Sequence, residues 1–86
     1  MRKVKSFVRY PSELNLSNYV KDSVYELFAV LIHEGFSLSS GHYYSYVKNK
    51  DRWFLMNDSS VSSTNESTVF SQKPYILFYK KKVSFV

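Results

Sequence analysis

Alternation of apolar and polar residues predicts short strands over most of this chain. Apolar and polar positions alternate from Val4 to Arg9, so we predict a strand there that ends at Pro11. The following polar stretch, residues 12–23, has turn-forming character and predicts a loop. We expect three side chains to anchor this loop by packing: Leu14, Leu16 and Tyr19.

Two nearly continuous apolar runs predict strands that are buried on both faces. The first, Tyr25–His33, is short for a helix and rich in β-branched and aromatic residues. A helix stays the alternative for this run, because Glu26, Leu27 and Ala29 are good helix formers. The second run, residues 74–79, precedes a group of lysines and predicts the last strand.

A hairpin is predicted between the two runs. The Ser- and Gly-rich stretch 34–41 predicts a loop, and the alternation that follows predicts a strand. A turn at residues 49–51 and a returning strand at residues 52–57 complete the hairpin, and a turn with a short strand follows at 58–62. One face of the first strand carries His42, Tyr44, Tyr46 and Lys48, and the other carries Tyr43, Ser45 and Val47.

One short helix is predicted near residue 66. Ser63 and Glu66 have the spacing of a capping box, in which a hydroxyl and a carboxylate three residues apart satisfy the first backbone N–H groups. Val69 and Phe70 then offer apolar surface for one or two helical turns to bury. The order of elements predicts one domain over residues 1–86 with an α+β fold, mostly antiparallel β sheet with one short helix.

Composition limits the class of protein. The 86 residues are enough for one small domain, and 44% hydrophobic and 19% aromatic residues argue against disorder. The absence of cysteine favours a reducing compartment, so we expect the cytoplasm or nucleus. It also excludes a thiol nucleophile or a zinc-thiolate site within these residues. The longest apolar stretch is too short to span a bilayer, so we expect no membrane association.

The positive charge of the chain raises the question of a nucleic-acid partner. The formal net charge is +5, with basic residues concentrated near both ends. A binding surface for an acidic partner and a solvated basic face are both compatible with this charge. Because no regular spacing of arginines and aromatics suggests a base-stacking surface, we do not expect nucleic acid as the partner.

His42 is the strongest candidate for catalytic chemistry. It follows Gly41 and a loop, and it opens a strand that would fix its backbone. If the turn lies near residues 49–51, Asn57 returns beside position 42 or 43, and Asp58 follows it. An Asx side chain there could orient the imidazole of a general base. Such pairs also occur in hairpins without any catalytic role, so an ordinary polar pair stays the alternative.

Other candidate sites are weaker. His33 ends a buried strand and is expected to be a hydrogen-bonded core histidine. His33 and His42 lack metal-ligand spacing and no third ligand is evident, so we expect neither a metal nor a cofactor. The serines near His42 lack the strand–turn–helix motif that presents a serine nucleophile, which disfavours a serine hydrolase.

Several ordered motifs together resemble the C-terminal, histidine-bearing part of the ubiquitin-specific protease catalytic domain. The resemblance covers almost the whole chain and includes Gly-His-Tyr at 41–43, Trp53, Asn-Asp at 57–58 and the final apolar strand. The matches in the final strand are Tyr75, Leu77, Phe78 and Tyr79. Further matches lie in and just after the first apolar run, at Tyr25, Leu27, Ala29, Val30, His33 and Gly35, and at Tyr46 and Val61.

The resemblance implies a fold and a set of site residues. The fold would be part of the palm of a papain-like cysteine protease that releases ubiquitin at its C-terminal glycine. His42 would be the general base, Asn57 would orient it, and Asp58 would support the reaction. Gly41 and Tyr43 would lie near the channel for the ubiquitin tail, with the loop 34–40 gating that channel.

These residues also depart from the family pattern, because the cysteine box, the thumb and the fingers are absent. Without a cysteine, the general base has no thiol to deprotonate, so we expect the chain to be inactive alone. The expected partners are ubiquitin or ubiquitinated proteins, and a separate chain that supplies the cysteine half is a further candidate. A non-catalytic ubiquitin-binding module is the alternative function. The incomplete palm also predicts an exposed apolar patch.

Overall fold

The computed structural model describes residues 9–37 and 40–82 of the chain. The described residues form six strands and one helix in the order β1, β2, β3, β4, β5, α1, β6. The elements are β1 (Glu13–Asn15), β2 (Val24–Ser37), β3 (Ser40–Asn49), β4 (Arg52–Asn57), β5 (Ser60–Thr64), α1 (Glu66–Phe70) and β6 (Ile76–Lys81). The predicted mostly antiparallel sheet with one short helix is confirmed, whereas the predicted strand at Val4–Arg9 lies almost entirely outside the described residues.

The long strand β2 lies at the centre of the sheet. Its residue Ala29 pairs with Val47 of β3 on one edge and with Phe78 of β6 on the other. β1 pairs with the start of β2, and β4 and β5 continue the sheet beyond β3. All of these pairings are antiparallel. The apolar run of β2 therefore has a neighbouring strand on each edge, and the predicted strand, rather than a helix, is confirmed.

The two faces of the sheet differ in how they are covered. Residues directly opposite each other on neighbouring strands share a face, and successive residues alternate between faces. The register therefore defines a helix-bearing face, which carries Val30, Ile32, His42, Tyr44, Tyr46, Trp53, Leu55, Asn57 and Leu77. The opposite, open face carries Leu31, His33, Tyr43, Val47, Phe54, Met56, Val61, Ile76 and Phe78.

The core lies on the helix-bearing face, beneath α1. Val69 of the helix is fully buried, and Phe70 contacts the ring of Trp53 at a centroid distance of 6.5 Å. The hydroxyl of Tyr10 donates a hydrogen bond to the carbonyl oxygen of Val69 at 2.6 Å. Tyr10 therefore fastens the segment before β1 to a helix that follows it by some sixty residues.

The helix begins differently from the predicted capping box. Asn65 is the N-cap residue, and its side-chain oxygen accepts from the backbone N–H of Thr68 at 2.8 Å. Ser63 and Thr64 are the last residues of β5 instead. The predicted cap at Ser63 is wrong because the pairing of β5 with β4 continues through Thr64, which pairs with Trp53.

Two predicted loops also contain strand structure. Residues 13–15 pair with β2, and the expected anchors Leu16 and Tyr19 are 40% and 85% exposed. Only Leu14 of the three expected anchors is half-buried. The predicted loop at 34–41 is also largely strand, because β2 extends to Ser37 and β3 begins at Ser40. The register between these strands shifts between Glu34 and Ser37, so a bulge replaces the predicted loop there.

The last strand is buried on one face only. The prediction of burial on both faces is wrong for β6, because Ile76 and Phe78 are each 42% exposed. Both belong to the open face, together with the exposed Tyr43, Met56 and Val61. The expected exposed apolar surface is therefore confirmed on this face. In the described part of the chain, no helix is long and apolar enough to cross a membrane.

Candidate catalytic histidine and its partners

The strands β3 and β4 bring His42 and Asn57 together at one end of the helix-bearing face. Lys50 and Asp51 both have positive φ, at 51° and 65°, as a tight two-residue hairpin turn requires. The turn sets a register in which Ser45 pairs with Met56. One further step places Asn57 opposite Tyr44 rather than opposite position 42 or 43, so the predicted register is off by one or two residues.

His42 and Asn57 are nevertheless in direct contact. His42 Nε2 and Asn57 Oδ1 lie 2.6 Å apart, a diagonal contact between residues of the same face. An amide oxygen only accepts hydrogen bonds, so Nε2 is the protonated nitrogen of the neutral ring. The lone pair is then on Nδ1, which bonds to no group of the described residues 9–37 and 40–82. In this tautomer Nδ1 is the nitrogen that can accept a proton.

Asp58 is not part of this contact. It lies in the turn between β4 and β5 with a φ of 54°, a conformation that Asp tolerates better than most residues. Its side chain is exposed, and within the described part of the chain no hydrogen bond or ion pair joins it to His42. The structure therefore joins His42 with Asn57 but leaves Asp58 in solvent beside them.

Gly41 brings the strand backbone unusually close to its neighbour. The φ of Gly41 is 145°, a conformation that residues with a side chain rarely adopt. A Cβ atom at this position would collide with the backbone carbonyl oxygen of Glu34 and would lie 2.7 Å from His33 Nε2. Glycine is therefore required immediately before His42 for β3 to approach β2 this closely.

An aromatic cluster lies beneath Gly41 on the open face. The ring of His33 packs on Tyr43 at a centroid distance of 4.5 Å and on Tyr75 at 5.7 Å. His33 Nε2 is buried and has no hydrogen-bond partner among the described residues, so the expected hydrogen-bonded core histidine is wrong in that respect. Tyr43 is 42% exposed and points away from the face that carries His42.

Tyr44 and Glu34 are neighbours of His42 that the sequence did not single out as site residues. The rings of Tyr44 and His42 are stacked at a centroid distance of 5.9 Å and an interplanar angle of 30°. The hydroxyl of Tyr44 donates to Glu34 Oε1 at 2.7 Å. Alternation in β3 does place Tyr44 with His42. Glu34 fell in the predicted loop 34–40, for which the resemblance implied a gating role, and nothing in the sequence indicated that it bonds to Tyr44.

The site consists of an imidazole with an amide oxygen in contact with its Nε2 atom. No group of three or more His, Cys, Asp or Glu residues in the described ranges is arranged to hold a metal ion. The 86 residues contain no cysteine, and no serine of the chain has the motif of a hydrolase nucleophile. An imidazole held in this way can accept and return a proton, but these residues include no thiol.

Comparison with known proteins finds one family over nearly the whole chain. The family model described as ubiquitin carboxyl-terminal hydrolase matches residues 1–79. Human ubiquitin carboxyl-terminal hydrolase 17-like protein 11 is 40% identical over an alignment that covers 93% of this chain and 16% of the relative. The human 17-like protein 6 is also 40% identical, with 93% of this chain and 22% of the relative covered.

Solved structures agree with the sequence matches. The Ubp8 chain of the SAGA Ubp8/Sgf11/Sus1/Sgf73 DUB module matches with a TM-score of 0.80 and 36% identity, over 95% of this chain and 20% of that chain. The same module with a Ubp8 variant bound to monoubiquitin matches with a TM-score of 0.79 and 35% identity, over 94% and 19%. The chain therefore spans between 16% and 22% of the length of these relatives and structures.

Proposed function

The chain belongs to the ubiquitin carboxyl-terminal hydrolase family, and from this we propose that it is the histidine-bearing part of a cysteine-type deubiquitinase. In this proposal His42 is the general base and Asn57 orients it. The substrates are ubiquitin conjugates, which a complete catalytic domain would cleave at the C-terminal glycine of ubiquitin. A structural neighbour bound to monoubiquitin supports this class of substrate.

The observation that carries the proposal is the contact between His42 Nε2 and Asn57 Oδ1 at 2.6 Å. It leaves Nδ1 as the basic nitrogen, which is the atom that a thiol must reach to be deprotonated. When Nδ1 takes the thiol proton, the imidazolium keeps its Nε2–H bond to the amide oxygen. Asn57 thus holds the ring in both protonation states without needing a charge of its own.

The chemistry follows from a base held in this way. The thiolate formed by proton transfer to His42 attacks the carbonyl carbon of the ubiquitin C-terminal glycine. His42 then returns the proton to the leaving amine, and an acyl-thioester remains. Water deprotonated by His42 hydrolyses this thioester, which regenerates the thiol and the neutral imidazole.

The remaining predicted site residues have supporting parts in the proposal. Gly41 and Tyr43 flank the general base in β3 and line the path of the ubiquitin tail. The partial exposure of Tyr43 leaves its ring accessible to a peptide segment. Asp58, exposed beside Asn57, assists the reaction through its charge rather than through a bond to His42.

The nucleophile must come from outside these 86 residues, since they contain no cysteine. It can be supplied by further residues of the same polypeptide or by a separate chain. We therefore expect the 86-residue chain alone to lack hydrolase activity toward ubiquitin. Turnover of a fluorogenic ubiquitin substrate by the pure chain, lost on His42→Ala, would contradict this expectation.

A hybrid enzyme tests the proposed role directly. In the hybrid, these 86 residues replace the matching segment of Ubp8 within its DUB module, and hydrolysis of a ubiquitin fluorophore conjugate is measured. We expect the hybrid to be active and His42→Ala to abolish the activity. We expect Asn57→Ala to lower kcat by about 100-fold, because the ring is no longer oriented. Ser45→Ala, on the other face of β3, is the matched control.

A different outcome would favour the non-catalytic alternative. If the hybrid folds and binds ubiquitin but does not hydrolyse the substrate, the chain does not supply a working base. Retention of ubiquitin by the isolated chain, unaffected by His42→Ala, would then assign it to a binding module.

A further inference from the structure

The side chain of Tyr44 is held at both ends on the face that carries His42. At its base, the ring meets the buried ring of Tyr46 edge-on at a centroid distance of 6.1 Å. At its tip, the hydroxyl donates to Glu34 Oε1 at 2.7 Å. Burial, and then the hydrogen bond to Glu34, raise the pKa of Tyr44, so its hydroxyl keeps its proton to a higher pH than an exposed tyrosine does.

Tyr44 and Glu34 together reach His42 from two strands. Glu34 of β2 is the backbone register partner of His42 in β3, and Tyr44 follows His42 by two residues on the same face. The bond between Glu34 and Tyr44 therefore spans diagonally beside His42. The Tyr44 ring stacks against the imidazole at 5.9 Å, while Asn57 of β4 holds its Nε2 atom.

The two kinds of contact constrain different motions of the imidazole. A single hydrogen bond at Nε2 fixes one atom of the ring but still permits the ring to turn about that bond. Stacking against a fixed aromatic ring restricts the plane of the imidazole. The direction of Nδ1 depends on that plane, and a base that points away from its nucleophile is ineffective.

We propose that Tyr44 and Glu34 are positioning residues, which together brace the plane of the His42 imidazole and so direct Nδ1. The inference rests on the proposed function only in taking Nδ1 as the base. Neither residue contacts the reacting atoms in this scheme. Tyr44 supplies the surface, and Glu34 keeps that surface in place.

The first test measures the imidazole itself, in the full 86-residue chain and without any activity. The chain has only two histidines, so His33→Gln identifies the ring N–H signal of His42 in the NMR spectrum. We expect a slowly exchanging Nε2–H signal in the unsubstituted chain, loss of this signal in Asn57→Ala, and faster exchange with solvent in Tyr44→Phe and Glu34→Ala. Glu34→Gln keeps an acceptor oxygen and should restore slow exchange.

A matched control comes from the other end of the sheet. Tyr79→Phe also removes a tyrosine hydroxyl that donates at 2.7 Å, there to the carbonyl oxygen of Pro11. It should leave the His42 signal unchanged, since it does not contact the imidazole. Equal effects of Tyr79→Phe and Tyr44→Phe would mean that general loss of stability, rather than positioning, changes the signal, and would overturn the proposal.

The second test is a kinetic cycle in the Ubp8 hybrid. Tyr44→Phe and Glu34→Ala should each lower kcat by about tenfold with KM unchanged, within the roughly 100-fold that a misplacement of about 1 Å can cause. The double variant should lose no more than either single one, because both remove the same brace. Glu34→Gln should retain most of kcat.

The outcomes separate this inference from the proposed function. The proposed positioning role is overturned if the losses of kcat multiply in the double variant. It is also overturned if Glu34→Ala leaves the His42 signal unchanged. An inactive hybrid overturns the proposed function, while the imidazole signal in the isolated chain still decides the brace. An unsubstituted chain without a slowly exchanging His42 signal overturns it as well.

Discussion

Gly41 lies against the imidazole of His33, and a Cβ atom at position 41 would lie 2.7 Å from His33 Nε2. The same atom would collide with the backbone carbonyl oxygen of Glu34, which cannot move without breaking the pairing of β2 and β3. This close contact links residues that belong to the two faces of the sheet. The residue before the proposed base is packed on a histidine of the open face, while the base itself belongs to the helix-bearing face.

Gly41→Ala should therefore destabilise the fold. The φ of 145° and the two close contacts should together lower the free energy of unfolding by about 1–3 kcal/mol, as backbone strain of this kind does. Urea denaturation of the chain measures the change. Ser45→Ala, in the same strand, is the control and should change the free energy by less than about 0.5 kcal/mol. Equal stability of the two variants would contradict the close packing at Gly41.

Asn65 should stabilise the helix α1 more than Ser63 does. Removing the N-cap acceptor in Asn65→Ala should lower the free energy of unfolding by about 1 kcal/mol, because the N–H of Thr68 loses its partner. Ser63→Ala should have an effect below about 0.5 kcal/mol, since Ser63 lies in β5. Urea denaturation compares the two variants, and a larger effect at Ser63 would restore the capping box that the sequence predicts.

The burial of α1 can be tested with a pair of identical substitutions. Val69 is fully buried, whereas Val61 is 61% exposed on the open face. Val69→Ala should lower the free energy of unfolding by about 2 kcal/mol through lost burial and the cavity left behind. Val61→Ala should lower it by less than about 1 kcal/mol. Thermal denaturation of both variants measures the two losses of stability. The loss should be larger for Val69→Ala than for Val61→Ala if the helix covers the face on which Val69 packs.

Tyrosine ionisation should weaken the fold at high pH. Burial is the largest cause that raises the pKa of each of four tyrosines above their ordinary value of about 10: Tyr10, Tyr44, Tyr46 and Tyr79. Below about pH 10 these groups stay protonated in both folded and unfolded chains, so their contribution to the free energy of unfolding is fully present. Above that pH the unfolded chain loses its protons first, and the free energy of unfolding falls.

Urea denaturation at about pH 8 and about pH 11 tests this dependence. Tyr44→Phe removes the group with the largest of these pKa shifts and should make the loss of stability between the two pH values smaller. A free energy of unfolding that rises between them, or the same loss in Tyr44→Phe, would falsify the prediction.

The open face should bind an apolar dye. Its exposed side chains include Met56 and Ile76, and contiguous apolar surface of this kind binds such probes. Met56→Thr with Ile76→Thr should reduce the fluorescence of bound anilinonaphthalene sulfonate. Leu16→Thr is the control, because Leu16 is similarly exposed but lies outside the sheet. Equal reductions in the two variants would mean that the open face is not the binding surface.

Local pattern was sufficient to predict most strands and the central hairpin. Alternation in β3 and the turn at residues 49–51 predicted that His42 and Asn57 lie close together, and the 2.6 Å contact agrees with this. The precise register was not predictable, because a change of one or two residues in the turn moves the partner of Asn57 along β3. The predicted proximity nevertheless holds, because the side chains of His42 and Asn57 reach each other diagonally between the two strands.

The sequence could not predict features that depend on distant partners. Glu34 was expected in a loop, because Gly35 and nearby serines are typical of loops, yet pairing with β3 extends β2 through this stretch. Asn65 rather than Ser63 caps the helix, because β5 pairs with β4 up to Thr64. In each case a backbone pairing between elements outweighed a local turn or cap preference.

The sequence by itself determined most of the strands, the family motifs and the proximity of a histidine and an Asx side chain, because these depend on periodicity and spacing along the chain. Only the tertiary structure decided which face of the sheet is covered. The helix α1 and Tyr10 pack on the same face, whereas Tyr43, Met56, Val61, Ile76 and Phe78 on the other face are exposed. The pairing of β2 with β3 also placed Glu34 beside His42. The sequence of one strand does not show which side chains of a neighbouring strand will lie next to it.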